Sequence, residues 1–363
     1  MTARIPFLSL SSDDDSDVTA AIARVVASGW FVLGPELEAF EREFAAASGA
    51  AYAIGVGNGT DAIALILRAL GVGRGDEVIT TAVSAAYTAL AIVMAGATPV
   101  FADVDPVRLT IDPNDAAALI GPRTRALLPV HLYGQPADMS ALTALAARHH
   151  VAIVEDCCQA HLATAGGQAV GTFGIAAAFS FYPTKNLGAL GDGGAVLTGN
   201  RELASRIARL RNGGQTDRYH HAELGVNSRL DELQAAVLRA RLAKLPAATA
   251  ARRALARRYR EALATDGVAV PPELDAGHVY HLFPVLCRDR TALQSRLAAD
   301  GIETLIHYPI PLPRQPAFAA FRRAPCPHAA DVCERVLSLP LHPRMTPSDV
   351  ARVAGAVNGA FTI

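Results

Sequence analysis

A chain of 363 residues is too long for one simple core and points to two packed domains. Hydrophobic residues make up 51% and charged residues 18%, an ordinary globular balance with a large interior. Thirty-three basic residues against thirty-four acidic ones leave a formal net charge of -1, which excludes the broad positive field used by nucleic-acid and membrane-surface binders.

In chain order, the opening MTARIPFLSLSSDDDSD has no long apolar core behind a basic region and does not read as a secretory signal. One helix is expected after residues 12–15, and a second opens with Pro35, a good first-turn residue, and closes at Gly49. Apolar runs at 78–81, 99–104, 126–130, 151–155, 176–181 and 195–198 read as buried strands. Helical patterns at 61–70, 115–120, 139–149 and 202–211 lie between them. This alternation argues for an α/β layer with a mostly parallel sheet. From about 228 to 264 the chain turns strongly helical, broken near Pro246, and then carries a strand at 280–286 and helices at 291–299 and 347–357. The expected division is a large domain over 1–245 and a smaller C-terminal α+β domain over 246–363. No stretch approaches the ~18 consecutive apolar residues of a membrane span. The five cysteines are odd in number and form no C-x-x-C pair, so neither a disulfide framework nor a metal site is expected, and a reducing cytoplasm is the natural home.

Three segments carry chemistry. In Phe179-Ser-Phe-Tyr-Pro-Thr-Lys-Asn-Leu-Gly, followed by Gly191-Asp-Gly-Gly, a hydrophobic strand delivers a lysine into a glycine-rich loop. The chain has only two lysines, Lys185 and Lys244. A loop lysine beside a buried strand can form an imine with a carbonyl cofactor once its amine is deprotonated, although a lone lysine also reads as a surface turn residue. The run Val151-Ala-Ile-Val-Glu-Asp ends a strand at Asp156, where a carboxylate could keep a pyridine nitrogen protonated or could simply cap the following turn. Gly55-Val-Gly-Asn-Gly-Thr-Asp is a strand end, a glycine turn and a helix start, so free N–H groups and the Thr60 hydroxyl there suit a phosphate. It is neither a P-loop nor G-x-G-x-x-G, and Asn58 or Thr60 also reads as a helix cap. Phosphate loop, carboxylate and lysine appear in a consistent order.

These segments, with Gly29-Trp-Phe-Val-Leu-Gly-Pro-Glu, Pro129-Val-His-Leu-Tyr-Gly-Gln-Pro, Glu155-Asp-Cys-Cys-Gln-Ala-His, Asn227-Ser-Arg-Leu-Asp-Glu-Leu-Gln-Ala-Ala and His307-Tyr-Pro-Ile-Pro-Leu, resemble the DegT/DnrJ/EryC1/StrS family of sugar aminotransferases, within the fold-type I enzymes that use pyridoxal 5'-phosphate (PLP). The resemblance spans nearly the whole chain. It implies a three-layer α/β/α large domain that binds PLP, plus the small α+β domain. By resemblance, Lys185 bonds to PLP and moves protons, Asp156 pairs with the pyridinium nitrogen, and Gln159 lies near the phenolic oxygen. Gly59, Thr60 and Ser180 hold the phosphate, and Asn227 reaches the phosphate of a neighbouring subunit, which implies a homodimer with shared sites.

The same resemblance places His307 and Tyr308 near the sugar nucleotide. Arg229 is a candidate for a carboxylate or phosphate, or for a structural bridge to Asp231. His161 is a candidate for facing substrate or for filling core. The family's ring-stacking aromatic falls on Ala85 here, and Tyr87 is the substitute considered. His131, His149, His150, His220 and His221 read as structural or solvated, and Arg252, Arg253, Arg257 and Arg258 as a solvated helix face. The implied reaction moves the amine of L-glutamate through PLP and its amine form (PMP) to a nucleotide-linked keto-deoxysugar, with dTDP-3-keto-6-deoxyhexose favoured and a 3-amino sugar as product. A 4-keto sugar, a keto-cyclitol and a non-catalytic PLP-binding regulator are the alternatives.

Overall fold

The computed structural model describes residues 4–9 and 15–361. The start of the first expected helix, up to residue 14, lies outside the described residues. Helix α1 is described from Asp15 to Ser28 and α2 from Pro35 to Ala47. Then follow β1 (Tyr52–Val56), α3 (Gly59–Ala69), β2 (Glu77–Thr81), α4 (Ala86–Met94), β3 (Thr98–Ala102), α5 (Pro113–Leu119), β4 (Thr124–Leu128), α6 (Met139–His149) and β5 (Ala152–Asp156). After β6 (Ala176–Ser180), β7 (Gly194–Thr198) and α7 (Arg201–Leu210), the long helical stretch forms α8 (Glu232–Leu242) and α9 (Leu245–Ala262). The remainder is β8 (Val268–Ala269), β9 (Phe283–Cys287), α10 (Arg290–Ala299), α11 (Pro327–Arg335), β10 (Val336–Leu339) and α12 (Pro347–Gly359).

Seven strands form one sheet in the order β1-β7-β6-β5-β4-β2-β3. Strands β6, β5, β4, β2 and β3 pair in parallel, while β7 runs antiparallel to both β6 and β1. Every residue of β2 is buried, as expected of a parallel strand covered on both faces. One core cluster sets α3 and α7 against the sheet; a second packs Phe40 and Phe44 of α2 on Phe179 and Phe181, and a third sets α6 against β4 and β5. This is the mostly parallel α/β layer that the alternation argued for, in the three-layer form that the resemblance implied.

The smaller sheet, β8-β9-β10, is antiparallel and packs with Tyr259 of α9 and Val353 of α12. Ile5 joins that cluster from the other end of the sequence, bridging Ile302. Of the expected solvated arginine face of α9, Arg257 and Arg258 are exposed, while Arg252 and Arg253 are corrected. Arg252 is only 4% exposed, and its Nη1 donates to the carbonyls of Tyr280, His281 and Leu341. Arg253 donates to the His278 carbonyl. These arginines satisfy carbonyls of the irregular 278–282 segment, which regular ladders leave unpaired. No helix among the described residues is long and apolar enough to cross a membrane.

Candidate active site

The site forms at the carboxyl ends of β5 and β6, beside the start of α3, the position where open α/β sheets bind ligands. Successive strand residues point to opposite faces, so the last two residues of β5 have separate duties. Glu155 is fully buried and accepts the N–H groups of Gly171 (2.7 Å), Phe173 (2.8 Å) and Gly174 (2.8 Å). His131 Nε2 lies 3.1 Å from the same carboxylate, and its Nδ1 accepts from Ala137 N at 3.0 Å. Glu155, His131 and Cys157 lie close enough together to recommend a metal site, but these bonds occupy the histidine and carboxylate donors, and the group acts as a structural latch.

Asp156 points the other way. Thr88 Oγ1 donates to its Oδ2 at 2.8 Å, and Cys158 N donates to Oδ1 at 3.1 Å. Ser84 Oγ lies 3.1 Å from Thr88 Oγ1; since the threonine proton goes to Asp156, the serine is the donor of that pair. Thr88 lies in the first turn of α4 and Ser84 just before the Ala85 cap, so the bend leading into the helix brings the two hydroxyls together. Sequence reasoning missed both; their spacing was the available signal. Tyr87 sits about 100° round the helix from Thr88 and is 65% exposed. The structure therefore places no Tyr87 ring on the Asp156 side of α4.

Helix α3 opens with Asn58 as its cap, accepting from Asp61 N at 2.8 Å. That leaves the Gly59 and Thr60 N–H groups at the positive end of the helix as free donors. Ser228 Oγ accepts from Gly57 N at 2.9 Å and donates to Asp61 at 2.6 Å, fixing the turn from below. A Cβ on Gly59 would come within 2.7 Å of Cys158 Sγ and 2.9 Å of Ser180 Cβ, so the chain needs glycine for these three segments to meet. We expect Gly59→Ala to raise the dissociation constant for an anionic cofactor by roughly tenfold, about the effect of one lost charge-assisted hydrogen bond, measured by fluorescence titration.

Lys185 follows β6 in a turn closed by its own N–H to the Tyr182 carbonyl at 2.8 Å. Burial holds its amine below the usual lysine range, while Cys158 and Asp156 pull the other way. Lys244, by contrast, pairs with Asp17 at 2.6 Å on the surface, the ordinary fate of a lysine. Gln159 is oriented unambiguously: Tyr133 N donates to its Oε1 at 2.7 Å, and its Nε2 donates to the Tyr308 hydroxyl at 3.0 Å. One N–H of the amide remains for a ligand.

Tyr308 and His307 arrive from the C-terminal part of the chain. His307 Nδ1 lies 3.0 Å from Ser338 Oγ, its ring stacks on Phe7, and its carbonyl accepts the Tyr133 hydroxyl. Burial depresses the His307 ring to about 4 and pushes the Tyr308 phenol up to about 12.

His161 lies inside the core. Its ring packs between Phe179 and Phe181, and Nε2 lies 2.9 Å from the Ser180 carbonyl, so this nitrogen carries the proton. Burial drives its pKa to about 3. Its structural duty is to brace Ser180 from behind, the core reading of the two considered. Arg229 makes no bridge to Asp231; its Nη1 donates to Asn212 Oδ1 at 3.0 Å. Asn227 is exposed and bridges Asn212 through the backbone.

The folded pKa values of His161, His278 (about 3) and His307 lie below the ordinary 6.5, so the unfolded chain binds protons there first. Their contribution to stability is present above pH 6.5 and is lost as pH falls toward 3–4. The denaturation midpoint should therefore drop steadily below pH 6.5, and His161→Phe should flatten that slope in urea titrations across pH.

An amine-bearing loop, a buried carboxylate and an anion cradle around one rim define a class of enzyme that works through a bound, phosphorylated carbonyl cofactor. A profile of the DegT/DnrJ/EryC1/StrS aminotransferase family matches residues 12–358, and the chain belongs to that family. Among its relatives is a dTDP-3-amino-3,4,6-trideoxy-alpha-D-glucose transaminase of Streptomyces venezuelae, 49% identical across 98% of this chain and 96% of the relative. The crystal structure of S. venezuelae DesV superposes with a TM-score of 0.96 at 48% identity, over the whole of both chains. That of NtdA from Bacillus subtilis, with bound cofactor PMP, gives 0.91 at 32% identity, over 99% of this chain and 86% of the other. This chain is thus a sugar aminotransferase by family.

Proposed function

We propose that the protein is a PLP-dependent aminotransferase that converts a dTDP-linked 3-keto-6-deoxyhexose into its 3-amino sugar, with L-glutamate as amine donor. The observation that carries this reading is the convergence of Lys185, Asp156, Gln159 and the Gly59–Thr60–Ser180 cradle on one end of the sheet. The donor set fits the cofactor. Free N–H groups at the start of α3 suit a phosphate, and Ser180 packs against the same turn through its Cβ. The Asp156 carboxylate, oriented by Thr88 and Cys158 N, suits a protonated ring nitrogen, and the spare Gln159 N–H suits a phenolic oxygen. When bound, PLP supplies the electron sink that lets an amine change carbon partners.

The chain's own work is positioning and proton transfer. Burial makes Lys185 easier to deprotonate than an exposed lysine, so its Nζ can accept a proton from a substrate carbon and return it. Asp156 is held in place by two hydrogen bonds, from Thr88 Oγ1 and from Cys158 N. Gln159 and Tyr308 form a fixed pair whose hydroxyl and amide border the space above the site. The dTDP sugar and the 3-keto position follow the name of the Streptomyces relative and the His307-Tyr-Pro-Ile-Pro segment. Mixing the PLP-loaded protein with L-glutamate alone tests the donor half: conversion of the visible band to that of PMP is expected, and an unchanged spectrum would contradict glutamate as donor.

The reading includes a homodimer in the cytoplasm. Trp30 (56%), Tyr87 (65%) and Met94 (58%) are exposed large apolar side chains, unusual for a free surface, and Asn227 is exposed as well. If Asn227 completes a partner's site, mixed Lys185→Ala and Asn227→Leu subunits should regain activity that neither variant has alone. Equal inactivity of the mixture would argue for sites contained in one chain.

A further inference from the structure

Asn186, the residue after the lysine, bonds through its side chain across to the irregular segment at 278–282. Its Nδ2 donates to the Val279 carbonyl at 3.1 Å, which turns its Oδ1 toward His281 Nδ1 at 3.2 Å. An amide oxygen only accepts, so His281 must carry its proton on Nδ1. The segment behind is firmly built. Val279 N donates to the Gly134 carbonyl at 3.1 Å, Leu282 N donates to the Tyr133 carbonyl at 3.3 Å, and Arg252 bonds the carbonyls of Tyr280 and His281.

We propose that His281 is a positioning residue for Lys185, acting through Asn186: its Nδ1–H fixes the asparagine amide and so the direction in which the lysine leaves its turn. The charged and titratable groups facing the ring are Lys185, Arg252, His307 and His161. Burial and these neighbours keep it neutral, so it aims the amine without competing for the proton. Sequence reasoning could not mark His281, because its partner lies ninety-five residues away.

The chain provides its own test, since its two lysines report separately. The inference rests on Lys185 being the working amine, but the measurement needs neither sugar nor turnover, so failure of the proposed substrate leaves it intact. The full-length, cofactor-free protein is acetylated in competition across pH, and modification of Lys185 relative to Lys244 is read by mass spectrometry. With His281→Ala the lysine relaxes toward solvent and its pKa rises; at pH 8 its relative reactivity should fall by about tenfold, the effect of one pKa unit. Asn186→Ala should give the same fall, and the double variant should fall no further, because both act through one contact. His281→Asn, which restores an N–H in nearly the same place, should recover the original value. In the loaded enzyme the same variants should lower kcat while leaving KM for the sugar unchanged.

Unchanged Lys185 reactivity in His281→Ala, or additive losses in the double variant, overturns the proposal. If His281→Ala fails to fold, Asn186→Ala decides alone: an unchanged reactivity there overturns it equally.

Discussion

Replacing Lys185 by alanine should lower the rate of amino-sugar formation by at least about 10³-fold, the scale of a lost general acid–base group combined with a lost attachment point. The amine is the only lysine in the described site, and Lys244 is engaged with Asp17 elsewhere. Lys185→Arg should do no better than alanine, because a guanidinium keeps its proton throughout the working range. Added methylamine should restore part of the rate to Lys185→Ala, since a small amine can enter the vacated space and carry the proton. Initial rates with and without methylamine measure this. Substantial activity in Lys185→Ala without rescue would mean that another group moves the proton, and no other buried amine is available among the described residues.

The second large effect belongs to Asp156. Asp156→Asn keeps shape but removes the negative charge proposed to pair with the ring nitrogen, and should cost roughly 10²–10³ in kcat. Thr88→Val keeps the charge and removes one hydrogen bond to it, so it should cost roughly tenfold, in line with about 1.5 kcal/mol for a bond to a charged group. The graded pair separates electrostatics from structure. If Thr88→Val proved as damaging as Asp156→Asn with an unaltered fold, the carboxylate's charge would not be the active quantity.

Much of this site could be read along the chain because its parts lie at the ends of regular elements. Asp156 ends a strand whose apolar run is unmistakable, and the turn at Gly57-Asn-Gly-Thr names its own helix start. The helix over Met139–His149 was expected at those limits, since Asp138 before it and the periodic apolar residues within it define both. Local signals stop there. Helix α4 was hidden in Ser84-Ala-Ala-Tyr-Thr-Ala-Leu-Ala-Ile, a short apolar run that suits strand or helix until its packing is known. With α4 unseen, the Ser84–Thr88–Asp156 chain was invisible too.

Contacts between distant segments were equally out of reach. Ile5 packing with the C-terminal cluster, and Arg252 buried beneath 278–282, depend on how two parts of the molecule meet. Arginine-rich helical sequence reads as a solvated face until one learns which carbonyls need donors. The histidines show the same limit from the other side. His161 and His307 sit in comparable motif positions, yet one braces Ser180 within an aromatic core and the other stands beside Tyr308 near the site. Spacing alone does not record which way a ring turns.

The most direct test of the whole account is product analysis. The PLP-loaded protein is incubated with L-glutamate and, separately, the dTDP-linked 3-keto and 4-keto 6-deoxyhexoses, and the nucleotide sugars are resolved by mass spectrometry. The expected result is a dTDP-amino sugar from the 3-keto substrate, absent in Lys185→Ala, with little or none from the 4-keto isomer. Amination of the 4-keto sugar alone, or of neither sugar by a protein whose visible band responds to glutamate, would contradict the assignment of substrate.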